Sequence, residues 1–356
     1  GKTTLAEALL AKAGVIPAAG GVERGTTVCD YTPLEKQLQH SLKLAVASFD
    51  IGGSEDGTRV HLLDTPGYPD FLGHALPAFA AVETAAIVIN AQNGIEMMTG
   101  RFLQWAAKRG LDRLIIVNKI DADNVDCEDL LDRIQQAFGK ECLPLNLPAG
   151  GRSKVSDCFF APSGEADFSS VEEAHRKLVD QVVEVDEKLM EKYLEKGEVS
   201  PDELHEPLER ALREGHLIPV VFASAKSGAC IGELLDVIVK LLPNPTEGNP
   251  PSYVVTKAGN GEGTDLTPIP DPGKHALAHV FKIEIDPYIG RLAVFRVHQG
   301  RLTPGGQLYI GEGRKPIKAG HLYLMRGKTQ VEVHEAIPGD ICAIAKIDEI
   351  QFDHIL

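Results

Sequence analysis

Four short stretches of the sequence carry residue types and spacings that suit one kind of chemistry. Gly1-Lys2-Thr3-Thr4 opens the chain and runs directly into the apolar pattern LAEALL. A glycine, a lysine and hydroxyls ahead of a helix resemble the close of a phosphate-cradling loop, G-x-x-x-x-G-K-[ST]. Leu62-Leu63-Asp64-Thr65-Pro66-Gly67 ends an apolar run in a carboxylate, which can hold Mg²⁺ through water. Its glycine can offer a backbone N–H to a phosphate with no side chain in the way. The same residues also read as a Pro-Gly turn after any strand. In Val117-Asn118-Lys119-Ile120-Asp121, an Asn and an Asp three residues apart can meet a guanine base. The Asp would accept from N1–H and the exocyclic amine, the Asn would bond N7 or brace the phosphate loop, and the Lys stem would cover the base plane. An exposed strand-end loop is the plain alternative. In Ala223-Ser224-Ala225-Lys226-Ser227-Gly228, the Ala225 N–H suits guanine O6 and Ser224 suits the turn, although Ser-Ala pairs are common. Each signal alone is weak. Their order is the argument, because ligands of an open parallel sheet bind beyond the carboxyl ends of its strands.

The elements that would position these loops follow from pattern. Residues 1–13 read as a helix, RVHLLD (59–64) as a strand and residues 71–84 as an amphipathic helix despite Pro77. AAIVIN (85–90) and RLIIVN (113–118) are nearly all apolar, as strands buried on both faces are. Between them residues 99–110 form a helix stopped by Gly110. This βαβ rhythm predicts a parallel sheet. Residues 122–223 interrupt it with an insert that includes one long helix over 178–197. Residues 160–215 hold sixteen acids and seven bases, so the insert carries most of the surplus acidity. IPVVFA (218–223) resumes the sheet and residues 232–243 close it with a helix. Residues 244–273, rich in Pro, Gly and Asn, read as a linker or mobile loop. From His275 short strands punctuated by Gly and Pro predict a small antiparallel barrel.

Bulk properties bound the function classes. A chain of 356 residues suggests two or three domains. Hydrophobic residues make up 43% and no apolar run nears the ~20 residues of a membrane helix, so no membrane partner is expected. The six cysteines lie far apart with no C-x-x-C, which fits reduced, buried thiols of a cytoplasmic protein. A net charge of -15 argues against indiscriminate nucleic-acid binding, and DNA is not an expected partner. The charge is uneven: residues 275–356 hold ten Lys/Arg against nine Asp/Glu, and the remainder 26 against 42. A basic face in the last part is compatible with that balance.

The four motifs in this order, with VNKIDADN, the long insert before FASAKSGACIGELLDVIVKLLPNP, and FKIEIDPYIGRLAVFRVHQGRLTPGGQLYIG, resemble translational GTPases of the elongation factor G type. GTTVCDYTPLE (25–35) resembles the segment leading into that family's first switch loop. The resemblance implies an α/β P-loop NTPase fold, with a mostly parallel sheet, helices on both faces and an inserted α/β subdomain, followed by an antiparallel β-barrel. It implies a GTP-binding domain over 1–243 with the insert at about 122–223, a linker at 244–274 and a translation-factor barrel at 275–356, its last strand expected beyond Leu356. The first glycine of the phosphate loop and its strand would precede Gly1, and a chain without them is expected to bind GTP weakly.

Carried over by position, Gly1, Lys2, Thr3 and Thr4 would line the phosphates, with Lys2 pairing the β/γ-phosphates and Thr3 on Mg²⁺. Asp64, Thr65, Pro66, Gly67 and Tyr68 would form the second switch, with Asp64 on Mg²⁺ through water and Gly67 sensing the γ-phosphate. Asn118, Lys119 and Asp121, helped by Ser224, Ala225 and Lys226, would read guanine. GTP/GDP and Mg²⁺ are the implied cofactors, and the ribosome, its rRNA and stalk proteins the implied partners of a monomeric cytoplasmic GTPase. Two positions depart from the family. Tyr68 stands where a histidine usually helps to position the attacking water. A phenol can orient water but cannot become an imidazolium at neutral pH, or Tyr68 only packs against the switch helix. In the first switch, QLQHSLKL (37–44) makes Ser41 the hydroxyl offered to Mg²⁺, with Thr26 or Thr27 as alternatives. The departures leave two functions open: a translocation-like factor, or a ribosome-associated GTP switch that does not translocate.

Overall fold

The computed structural model describes the chain except residues 53–56, 198, 257–262, 287–288, 312 and 314, and except the side chains of 201 and 202. The chain groups into two compact units. Unit 1 holds Gly1–Ala19 and Thr84–Pro243, and unit 2 holds Gly20–Glu83 and Asn244–Leu356.

Helix α1 (Lys2–Lys12) comes first, followed by α2 (Pro33–Leu38), β1 (Ala45–Ile51), β2 (Thr58–Asp64) and the single turn α3 (Leu72–Ala75). Strand β3 (Thr84–Asn90), α4 (Met97–Lys108), β4 (Asp112–Asn118) and α5 (Cys127–Phe138) alternate. Strands β5 (Cys142–Pro144), β6 (Asn146–Ala149) and β7 (Lys154–Asp157) lead to α6 (Val171–Val183), α7 (Glu187–Lys196) and α8 (Pro201–Glu214), then β8 (Ile218–Ala223) and α9 (Ile231–Lys240). Strands β9 (Tyr253–Thr256), β10 (Gly263–Leu266), β11 (Leu277–Asp286), β12 (Gly290–Gln299), β13 (Gln307–Leu308) and β14 (Ile317–Lys318) follow. The last elements are β15 (Leu322–Arg326), β16 (Thr329–Val333) and β17 (Ile341–Ala345).

Unit 1 is built on a four-stranded parallel sheet in the order β3-β4-β8-β5. β8 is buried along its whole length and β4 at all but Arg113, which explains their near-continuous apolar sequences. β3 differs from the expectation of a doubly buried strand. It alternates buried and less buried positions, because among the described residues it pairs only with β4 and forms a sheet edge. The sheet also continues past residue 122: α5 packs on β5, and β5 pairs with β8, so this part of the expected insert belongs to the main layer. The helix expected over 178–197 is two helices. Ser170 caps α6, and Asp186 caps α7 by accepting from the N–H groups of Lys188 and Leu189, so an aspartate at an N-cap ends one helix and starts the next.

Unit 2 is antiparallel. Its main sheet runs β11-β12-β17-β15-β1-β2, with β16 on the far side of the β15 hairpin. Side chains from β11, β12, β15 and β17, among them Val280, Phe295, Leu322 and Ile344, form one core. Here the structure corrects three expectations. First, β2 does not join the parallel sheet. It forms a hairpin with β1, and β1 meets β15 at Ala47↔Arg326. The physical reason is burial: Leu44 and Val46 enter a second apolar cluster with Phe281, Leu292, Val294, Met325 and Ile341. Gly327 permits the approach. It has φ +56°, donates its N–H to the Val46 carbonyl (2.8 Å), and any Cβ would overlap the Val28 carbonyl oxygen. By contacts, residues 20–83 group with Asn244–Leu356 in unit 2. Second, no amphipathic helix spans 71–84. Two short 3₁₀ turns, Pro69–Phe71 and Leu76–Ala80, flank α3, and Pro77 is the second residue of the latter, where its missing N–H breaks an α-helical ladder. Third, the segment read as a mobile linker contains the β9–β10 pair, and the Tyr253 ring lies 5.7 Å from that of His298 on β12. The tip of that segment (257–262) and two residues of the DPYIG stretch (287–288) lie outside the described residues.

Candidate nucleotide site

In unit 1, α1 starts at Lys2 with no side-chain cap and no acid in its first turn. Its first N–H groups and dipole therefore favour an anion at that end. Thr3 is buried and Lys2 half-buried. Asn118 stands at the carboxyl end of β4, in register with Ala223 of β8, so the loops after both strands leave the sheet side by side. The Asn118 side chain joins three segments. Its Nδ2 donates to the Gly1 carbonyl (3.3 Å), and its Oδ1 accepts from the N–H of Lys119 (2.8 Å) and of Ala225 (3.0 Å). Of the two roles offered for Asn118, the brace is the one present. The Ala225 N–H, read as a donor to a base, is engaged in that brace. Ser224 is fully buried; its hydroxyl donates to Asp121 Oδ1 and accepts from the Ser227 N–H (3.1 Å). Asp121, Lys119 and Lys226 are exposed. Lys119 adopts φ +68°, a left-handed conformation that a lysine takes at some cost, and it turns the chain sharply between Asn118 and Asp121. Three of the four motifs are thus joined by hydrogen bonds within one unit.

The fourth motif belongs to unit 2. Asp64 ends β2 opposite Ala45 and is buried, as is Pro66, while Gly67 and Tyr68 are exposed. Tyr68 caps the Pro69–Phe71 turn through its carbonyl and is 56% exposed. Its ring lies 4.8 Å from that of His40, whose Nδ1 is 2.9 Å from the Leu38 carbonyl. Ser41 faces the buried carboxyl of Asp30. Burial raises the pKa of Asp30, the Ser41 hydroxyl opposes that shift, and Glu35 adds to it. The hydroxyls of Thr26 and Thr27 accept from the N–H groups of Gly21 (3.0 Å) and Asp30 (3.3 Å).

The residue that organises this segment was missed in the sequence. Glu35 is buried and accepts from the Thr32 N–H (3.1 Å), the Thr32 hydroxyl (2.6 Å) and the N–H groups of Leu42 (3.1 Å) and Lys43 (3.2 Å). Thr32-Pro33-Leu34-Glu35 is a capping box with proline at the first helical position, a signal legible in the sequence. Among the described residues no group of three or more His, Cys, Asp or Glu side chains could hold a metal. Thr3 in unit 1 and Ser41 and Asp64 in unit 2 each carry a hard hydroxyl or carboxylate oxygen of the type Mg²⁺ takes alongside water.

Parallel-strand loops tied to the opening of a helix define a nucleotide-binding α/β domain, and the chain continues into an antiparallel β unit. Comparison with known proteins agrees. Residues 1–244 match the elongation factor Tu GTP binding domain, and residues 275–352 match elongation factor G domain 2. An elongation factor G-like protein of Mycobacterium tuberculosis is 33% identical over 380 residues, covering 99% of this chain and 52% of that protein. Elongation factor G of Thermotoga petrophila is 27% identical, covering 96% of this chain and 51% of that one. A crystal structure of a Thermus thermophilus protein is similar with a TM-score of 0.82 and 34% identity, over 100% of this chain and 52% of that chain. The chain belongs to the elongation factor G-like family of translational GTPases. It spans about half the length of the curated relatives it matches.

Proposed function

We propose that the whole protein binds GTP and GDP with Mg²⁺ and hydrolyses GTP to GDP and phosphate on the ribosome in a translocation-like role. The observation that carries this reading is the Asn118 brace between the Gly1 carbonyl, Lys119 and Ala225, with Asp121 anchored by Ser224 beside it. An exposed carboxylate fixed at one oxygen can accept from N1–H and the exocyclic amine of guanine, a pattern adenine does not offer. The N–H groups of Gly1–Thr4 and the Lys2 ammonium would hold the phosphates. Thr3, Ser41 and Asp64, the last through water, would hold Mg²⁺, which supplies charge neutralisation on the β- and γ-phosphates. Gly67 would sense the γ-phosphate, with Thr65, Pro66 and Tyr68 shaping that loop. The ribosome with its rRNA and stalk proteins, a monomeric state and a cytoplasmic location belong to the same reading. They are compatible with the absence, among the described helices, of any long and apolar enough to cross a membrane. The test is nucleotide binding by the full-length protein: GDP should bind far more tightly than ADP, and equal affinities would defeat the guanine assignment.

A second reading is a ribosome-associated GTP switch that does not translocate. Tyr68 favours it, being exposed and in contact with His40 rather than offering an imidazole. Ribosome-stimulated GTP hydrolysis of the wild type and of Tyr68→His separates the two. A full rate with Tyr68 in place removes the case for an impaired switch.

A further inference from the structure

Within unit 2 the strand that ends in Asp64-Thr65-Pro66-Gly67 is held to the barrel by an ionic contact to a buried carboxylate. Arg59 and His61 are two residues apart on β2, so their side chains leave one face of the strand. That face meets Asp340, the residue before β17. Asp340 Oδ1 lies 3.2 Å from Arg59 Nη1 and 3.4 Å from His61 Nε2, and Oδ2 accepts from the Ile337 N–H (2.9 Å). The Asp340 carbonyl accepts from the Val297 N–H of β12 (3.0 Å), so its backbone is fixed to the barrel. On the hairpin side, Asp50 holds Arg59 Nε (2.8 Å), and Ser48 Oγ lies 2.7 Å from His61 Nδ1. Among the described residues the backbone link between hairpin and barrel is slight by comparison: one paired position, Ala47↔Arg326, and the Gly327 N–H to the Val46 carbonyl. The apolar cluster around Val46 holds the hairpin down but fixes no direction.

The chemistry of the contact makes it hard to slacken. The Ile341 N–H donates to His61 Nε2 (3.3 Å), which leaves Nδ1–H to donate to Ser48. Burial and the neighbouring Arg296 and Arg59 charges favour that neutral ring against the pull of Asp340. Arg59 is then the cation that balances Asp340. Burial alone would raise the Asp340 pKa, but hydrogen bonding to its carboxylate, the Ile337 N–H included, and the nearby Arg59 charge hold it below the usual range. Removing one partner would leave a buried carboxylate without compensation.

We propose that the Arg59–Asp340–His61 contact is a clasp that makes the barrel follow the Asp64–Gly67 loop, so that a rearrangement of the loop reaches β17 instead of being absorbed by the hairpin. The transmission rests on the nucleotide reading of that loop given above; the clasp itself does not. Hydrogen exchange of the full-length protein tests both. Arg59→Met and Asp340→Asn are compared with wild type and with Glu335→Gln, which removes an exposed partner of Arg301. The Arg59 side chain is 38% exposed, so Arg59→Met spares the barrel core should Asp340→Asn fail to fold. Without nucleotide, the β1 and β2 amides should exchange about tenfold faster in both clasp variants and at the wild-type rate in Glu335→Gln, with β11 and β12 unchanged. With nucleotide, the difference in β17 exchange between GDP and a non-hydrolysable GTP analogue should be present in wild type and lost in Arg59→Met. Unchanged hairpin exchange in Arg59→Met overturns the clasp. A β17 that ignores the nucleotide in wild type, with GDP bound, overturns the transmission alone. Absence of GDP binding strikes the nucleotide reading, and the transmission with it, while the hairpin result stands.

Discussion

Asn118→Ala removes the side chain that ties Gly1, Lys119 and Ala225 together at a position only 1% exposed. Three hydrogen bonds disappear, one donated and two accepted. Each is worth about 1 kcal/mol net, and partners left unsatisfied in a partly buried place add to the cost, so unit 1 should lose about 2–4 kcal/mol. Asn118→Asp separates the contributions. It keeps an acceptor for the Lys119 and Ala225 amides but loses the donor to the Gly1 carbonyl and sets two oxygens against each other. Urea unfolding gives the total loss. Because two units need not unfold together, hydrogen exchange at named amides supplies the local readout. The Ala225 and Lys119 amides should lose protection in Asn118→Ala and keep it in Asn118→Asp. Nucleotide binding has to rebuild the missing brace, so GDP affinity should fall about tenfold for each 1.4 kcal/mol lost. A stability change below about 0.5 kcal/mol in Asn118→Ala, with the Ala225 amide still protected, would refute the brace, since surface side chains commonly cost no more.

Two further outcomes follow from buried titratable groups. Burial, the Arg296 charge and His279 lower the pKa of His298 to about 3. The unfolded chain then binds a proton at His298 between about pH 6.5 and 3 that the folded chain does not, so stability falls as pH drops through that window, by up to about 1.4 kcal/mol per pH unit. His298→Phe should flatten that acid slope in urea unfolding at pH 7 and 4.5, and an unchanged slope would count against a buried neutral ring. All six cysteines are free and buried, and burial pushes the thiols of Cys127 up to about 11 and of Cys142 and Cys158 to about 12. Thiolate is the reactive form, so a disulfide reagent at pH 8 should label the native protein slowly and all six thiols once it is unfolded; fast native labelling would contradict the burial.

The placement of the candidate loops was legible because strand pattern and motif coincide there. β4 and β8 are apolar runs ending in Asn118 and Ala223, and parallel pairing in that register brings the following loops together. What the motif did not contain was the wiring. Asn118 could have faced a base or a neighbouring loop, and only the position of the Gly1 carbonyl and the Ala225 N–H decides for the brace. Glu35 shows the opposite failure. Its capping box with Thr32 was readable as a local signal, but its reach to the Leu42 and Lys43 amides, which folds the segment back on itself, depends on a turn that no residue pair announces.

The β1–β2 hairpin marks the limit of reading partners from pattern. Periodicity tells which face of a strand is apolar; it does not tell which neighbour covers that face. RVHLLD suits a parallel sheet and the edge of a barrel equally well. Its placement turns on residues far away in sequence: Met325 and Ile341 beneath Val46, a glycine at 327 that lets a turn approach the Val28 carbonyl, and an aspartate at 340 that answers Arg59 and His61. The apolar contacts would tolerate several partners of similar shape. The buried charge would not, because Asp340 without Arg59 carries a desolvation cost that the surrounding side chains do not offset. Specificity for this neighbour therefore lies in the polar residues of a strand whose apolar residues supplied the only signal visible beforehand.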